Sequence, residues 1–169
     1  MAQQKDDRRI GGLRSSLMVI RASIFLLLTG LSSLSVAEID RGVDAYEQGK
    51  NSVALRYWMP LARNGNALAE NNLGVMYAKG EGASQDKKEA VKWYRLSAEQ
   101  GNNKGQRNLG YMYSTGKGIT EDDKEAVKWY RLSADQGNSG AQNSLGNMYY
   151  RGDGVEQSFQ EAIKWYRLS

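Results

Sequence analysis

The 169-residue chain contains no His and no Cys. Without Cys there is no disulfide, no thiolate ligand and no thiol nucleophile. Without His there is no imidazole acid, base or metal ligand, so any catalysis would rest on carboxylates, Lys, Tyr or Ser. Proline is nearly missing as well, with only Pro60 against nineteen glycines. Few prolines favour helices, yet a glycine inside a helix costs about 1 kcal/mol relative to Ala. The glycines therefore belong between helices or where elements approach closely. A long apolar run is also lacking. The best candidate, Ala22 to Ala37, has sixteen residues diluted by Ser, Thr and Gly, short of the roughly 20 that span a bilayer.

What is present is an ordinary globular composition, 40% apolar and 25% charged, with a formal net charge of +4. A basic excess invites nucleic acid or an anionic membrane as partner, but its position argues otherwise. Residues 1–37 hold five basic groups (Lys5, Arg8, Arg9, Arg14, Arg21) against Asp6 and Asp7, leaving 18 basic and 17 acidic groups in the rest. Basic residues, then an apolar stretch, then Ser35-Val36-Ala37 before Glu38 read as a secretory leader with a small-x-small cleavage site. Met18 would give a leader of more typical length. Export to the periplasm or the cell exterior is the expectation, with membrane contact only through an uncleaved leader.

The remainder is one motif written repeatedly. Ala69-Glu-Asn-Asn-Leu-Gly-Val-Met-Tyr-Ala-Lys-Gly-Glu-Gly82 recurs from Gly105 and from Ala141, and Glu89-Ala-Val-Lys-Trp-Tyr-Arg-Leu-Ser97 recurs from Glu125 and from Glu161, always 36 residues apart. Upstream, Ala54 to Asn66 matches the second segment as a divergent copy, and Asp44 to Gly49 keeps only a Tyr-x-x-Gly step of the first. Each repeat reads as two helices. Ala69, Leu73, Met76, Tyr77 and Gly80 form one stripe at helical period, and Ala90, Trp93, Tyr94, Ser97 and Ala98 form another. Gly-x-Gly and Gly-Asn steps separate them. A lone pair cannot bury these stripes, so neighbouring pairs must stack. The expectation is an all-α solenoid of about eight helices: a leader over 1–37, a divergent pair over 38–66, and repeats over 67–102, 103–138 and 139–169. The third repeat stops before its Ala-x-Gln-Gly ending, which leaves an uncapped face open to self-association. Pro60 falls inside a second helix and should kink it.

These motifs, A-x3-L-G-x2-Y-x2-G-x-G followed by A-x2-W-Y and A-x-Q-G, resemble the Sel-one-like repeat family of tetratricopeptide-like solenoids. The resemblance covers about Arg41 to Ser169. It implies an α/α superhelix of antiparallel pairs that binds other proteins, with first helices lining the concave side, and it implies no particular activity or cofactor.

Other candidate sites weigh less. Trp58, Trp93, Trp129 and Trp165 with Tyr57, Tyr94, Tyr130 and Tyr166 form an aromatic ladder better suited to the core than to stacking sugars or bases. Lys92, Arg95, Lys128, Arg131, Lys164 and Arg167 form a basic ridge, but each Lys follows a Glu by three residues (Glu89, Glu125, Glu161), the pattern of a solvated helix face. The Gly-x-Gly steps lack the strand and third glycine of a dinucleotide site. Ser84-Gln85-Asp86-Lys87 matches S-x-x-K without its companion motifs. Glu121, Asp122, Asp123 and Glu125 suit a helix N-terminus better than a metal. No catalytic residue, cofactor, metal or nucleic-acid partner is expected.

Positions that vary while their neighbours repeat are more informative. Asn71, Arg107 and Asn143 align, as do Val75, Tyr111 and Asn147, and Ala78, Ser114 and Tyr150. Within each repeat they fall at i, i+4 and i+7, one stripe along the first helix. Tyr gives rigid contact area and Asn adaptable hydrogen bonds, so this stripe is the candidate partner-binding surface of an exported, non-catalytic adaptor for a protein or peptide. A polysaccharide-binding module in envelope glycan export, using Tyr111 and Tyr150, and a self-assembling structural unit are the alternatives.

Overall fold

The computed structural model describes residues 36–169. Most of the expected leader lies outside the described residues. Residues 36–47 are helical (α1), followed by α2 (Asn51–Arg63), α3 (Ala67–Lys79), α4 (Lys87–Glu99), α5 (Asn103–Thr115), α6 (Asp123–Asp135), α7 (Ser139–Arg151) and α8 (Phe159–Leu168). No strand occurs among the described residues. From α2 onward each helix packs on the next, and α3 also touches α5 directly. That contact places the first helices on the inner side of the stack.

Repeated chemistry explains the repeated boundaries. Asn66, Asn102 and Asn138 cap α3, α5 and α7, each side chain accepting from the backbone N–H three residues on. Asp86, Asp122 and Ser158 cap α4, α6 and α8 in the same manner. Each such cap stabilises its helix by about 1 kcal/mol. First helices end on Gly80, Gly116 and Gly152 in the left-handed region, the usual glycine stop. The second glycine of the Gly-x-Gly step makes the contact between repeats. Gly118 has φ +78°, and a Cβ there would lie 2.4 Å from the carbonyl oxygen of Lys87 at the start of α4. Only glycine meets both conditions.

The core follows the two stripes. Ala69, Leu73, Met76, Ala90, Tyr94, Ser97 and Ala98 are all buried, as are their counterparts in the next repeat, where Gly105 replaces Ala69. The buried serines donate across the pair, Ser97 Oγ to the Ala67 carbonyl at 2.6 Å and Ser133 Oγ to that of Asn103 at 2.7 Å. Tyr94, Tyr130 and Tyr166 pack flat against Gly74, Gly110 and Gly146 of the preceding helix. In the divergent pair the aromatic order is reversed, so Trp58 holds the tyrosine's place. It rests on Gly42 and donates its indole N–H to the Ile39 carbonyl at 3.3 Å. Helix α2 continues through Pro60 to Arg63, with Pro60 on the exposed side, where water can satisfy the carbonyl that Pro leaves without a donor. On α8, Ile163 is 50% exposed while its counterpart Val127 is 6% exposed.

Candidate functional site

On the outer face each lysine of the ridge has a glutamate partner. Lys92, Lys128 and Lys164 pair with Glu89, Glu125 and Glu161 at 2.7, 3.2 and 3.2 Å. Arg95 donates to the Tyr113 hydroxyl at 2.8 Å, and Arg131 to that of Tyr149 in the following repeat. The basic ridge is therefore a solvated, internally bonded surface that also ties one repeat to the next. Trp58, Trp129, Trp165, Tyr94 and Tyr130 are buried, Trp93 and Tyr57 half-buried and Tyr166 on α8 exposed, so the aromatic ladder is core up to its last tyrosine. Within the acidic group, Asp122 caps α6 and Glu125 accepts from both Lys128 and the Trp129 indole.

The inner face is hollow. A cavity of about 730 Å³ opens between α3 and α5, reaching the start of α7. Four of the nine predicted positions, Asn71, Val75, Arg107 and Tyr111, line it, together with Lys79, Lys104, Asn108 and Tyr94. Asn71 is only 4% exposed, because its side-chain carbonyl accepts from Asn108 Nδ2 at 2.9 Å and bridges the two helices. It is a floor residue rather than an outward one. Ala78 and Tyr111 line an adjoining hollow of about 340 Å³. Ser114 turns instead to the Tyr130 hydroxyl at 3.1 Å. Asn143 and Asn147 bond each other at 3.2 Å, and Tyr150 stacks edge-on against Phe159, all three away from the cavity.

One neighbour constrains each of the two large groove residues. A Cβ at Gly140 would lie 2.6 Å from Arg107 Nε, so the bare glycine at the start of α7 lets the guanidinium lie across the groove. Tyr111 is held by Lys117, which donates to its hydroxyl and sits 4.7 Å from the ring centroid. Burial raises the Tyr94 and Tyr130 pKa values above that of free tyrosine, so both hydroxyls stay protonated and neutral.

The motif spacing and the stacked pairs now meet an external match. The family model of the Sel1 repeat matches residues 67–102, 103–138 and 139–169, well over half the chain. The chain belongs to the Sel1 repeat family. Among solved structures, this Sel1 repeat chain is similar to a protective antigen present in uropathogenic Escherichia coli strains and displaying an SLR fold. The two share 38% identity at a TM-score of 0.74, over 79% of this chain and 30% of that one. It is also similar to a Sel1 repeat protein from Oxalobacter formigenes, 36% identical at a TM-score of 0.73, over 78% of this chain and 52% of that one. The sequence thus spans about a third and about half of these two relatives. No curated protein matches it. The Sel1 fold supplies the stack of helix pairs. What varies from one of its repeats to the next is the inner stripe, with Arg107 set against Gly140.

Proposed function

We propose that this Sel1 repeat protein is an exported, non-catalytic adaptor that binds a protein or peptide in the groove on the inner side of α3 and α5. The observation that carries the reading is the groove itself. It is framed by repeated, rigid structure and lined by residues that the repeat does not require, namely Val75, Arg107 and Tyr111. Bonded, packed residues form its floor and a mixed polar and apolar set its walls, as partner-binding surfaces require. Elsewhere, Asp122 and Glu125 of the acidic cluster and the lysines, Arg95 and Arg131 of the outer ridge are engaged in a cap, ion pairs and tyrosine contacts. Export rests on the basic and apolar N-terminal pattern.

The test is a charge and area reversal in the groove. Arg107→Glu with Tyr111→Ala should abolish capture of the partner by the immobilised chain while helical circular dichroism and the unfolding midpoint are unchanged. Capture by a folded double variant at wild-type level would place the binding surface elsewhere.

A further inference from the structure

Building on the groove reading above, we propose that the occupant is an acidic peptide, one carboxylate of which seats over Tyr94 between Lys79, Lys104 and Arg107. Three hollows run together along the inner face. The main cavity shares Val75, Lys79 and Lys104 with a second of about 390 Å³, and shares Lys79 and Tyr111 with the third, which adds Lys87 and Lys117. Five cations thus line the continuous groove, against one lining carboxylate, Glu47. Among the described residues only Lys79 of the five has an ion pair, with Glu81 at 3.7 Å. On the outer face the lysines at 92, 128 and 164 are each matched by a glutamate. Each outer lysine thus has its own glutamate, whereas Lys87, Lys104, Arg107 and Lys117 have no ion pair among the described residues, and a concave wall of one sign focuses its field on a ligand of the other.

Tyr94 adds a neutral donor at the base of this positive site. Its counterparts are both engaged: Tyr130 shares a hydrogen bond with Ser114 at 3.1 Å, and Tyr166 donates to Asn147 at 2.8 Å. In the first repeat those two aligned positions are Ala78 and Val75, which offer no acceptor, and Tyr94 has no hydrogen-bond partner among the described residues. An O–H without an acceptor, in a cavity that Lys79, Lys104 and Arg107 also line, is arranged for a carboxylate oxygen. The adjoining hollow is walled by Val43, Trp58 and Val75, so an apolar side chain fits beside the carboxylate. That pairing of acid and apolar group belongs to a peptide and not to a uronic-acid or phosphate polymer.

Panning a random peptide library of about twelve residues on the full chain tests this. Asp and Glu should be enriched and Lys and Arg depleted among recovered sequences. Fluorescence anisotropy with a recovered peptide should show binding weakened on the order of tenfold by Lys104→Glu with Arg107→Glu, weakened several-fold by Tyr94→Phe, and unchanged by Lys92→Glu with Lys128→Glu. Recovered peptides that are neutral or basic, yet lost in the Arg107→Glu, Tyr111→Ala variant, would overturn the acidic assignment and leave the groove reading standing. Recovery of no peptide above background would overturn both. Displacement of the peptide by polygalacturonate at equal carboxylate concentration would show that the groove binds charge alone, and would also overturn the assignment.

Discussion

Substituting Gly74, Gly110 and Gly146 by Ala, one at a time, separates helix propensity from the packing that holds repeats together. The three occupy the same place in three repeats, so each replacement favours its helix by the same amount, about 1 kcal/mol. What differs is the ring opposite. An added Cβ at Gly74 would lie 2.4 Å from Tyr94 Cδ1, and at Gly146 it would lie 2.6 Å from Tyr166 Cε1, against roughly 3.5–4.0 Å for an ordinary carbon contact. Tyr94 is 5% exposed and walled in by the next repeat, whereas Tyr166 is 37% exposed on α8 and can move outward at the loss of one exposed hydrogen bond to Asn147. Overpacking a closed site costs about 1–3 kcal/mol, and the overlap at Gly74 belongs at the upper end of that range. Gly74→Ala should therefore destabilise by about 2 kcal/mol net of propensity. That corresponds to a fall of roughly 6–8 °C in Tm for a domain of this size. Gly110→Ala, with 2.8 Å to Tyr130, should fall slightly below it. Gly146→Ala should be neutral or stabilise by up to about 1 kcal/mol. Urea unfolding followed by circular dichroism, with slopes compared as well as midpoints, measures all three. Equal effects at the three sites, or a Gly74→Ala chain as stable as wild type, would refute the packing role of the glycine.

Three further outcomes follow from the same framework. Glu70 is buried, which raises its pKa, although Gln100 Nε2 donates to it at 2.6 Å and opposes that rise. In the next repeat Gln106 accepts from Gln136 at 2.7 Å in the same arrangement. Glu70→Gln should raise the unfolding midpoint at pH 7. Because the folded chain holds the Glu70 proton more tightly than the unfolded one, wild-type stability improves as pH falls through the carboxylate range, and the advantage of the variant should shrink there. Ser97→Ala removes the hydrogen bond from a fully buried hydroxyl to the Ala67 carbonyl and should cost about 1 kcal/mol in urea unfolding. Asp122→Ala removes the α6 cap and should cost about 1 kcal/mol, with Asp122→Asn recovering most of the loss.

The 36-residue period made the helices, their glycine stops and their buried stripes legible, because each copy independently reports the same apolar positions. Packing between copies is less visible in one copy alone. Glu70, Gln106 and Gln142 look like surface residues on their own helix, yet are buried because each faces the preceding or following helix. Pairing them with the Gln of Ala-x-Gln-Gly, 30 residues on, is the signal that would have marked Glu70 and Gln106. The lining of the groove was legible at Asn71, Val75, Arg107 and Tyr111, but a stripe drawn on first helices alone omits Tyr94, which comes from α4. It also omits Lys104, which shares a register with Leu68 and Gly140. A groove between repeats draws on registers that no single helical wheel contains.

The most direct test of the central claim is site-specific photo-crosslinking in the organism's own cells, with the reactive residue placed at Tyr111 in the groove or at Lys128 on the outer face. The account predicts discrete adducts of one polypeptide from position 111, suppressed by the acidic peptide, and none from position 128. Adducts from position 128 with none from position 111 would contradict it.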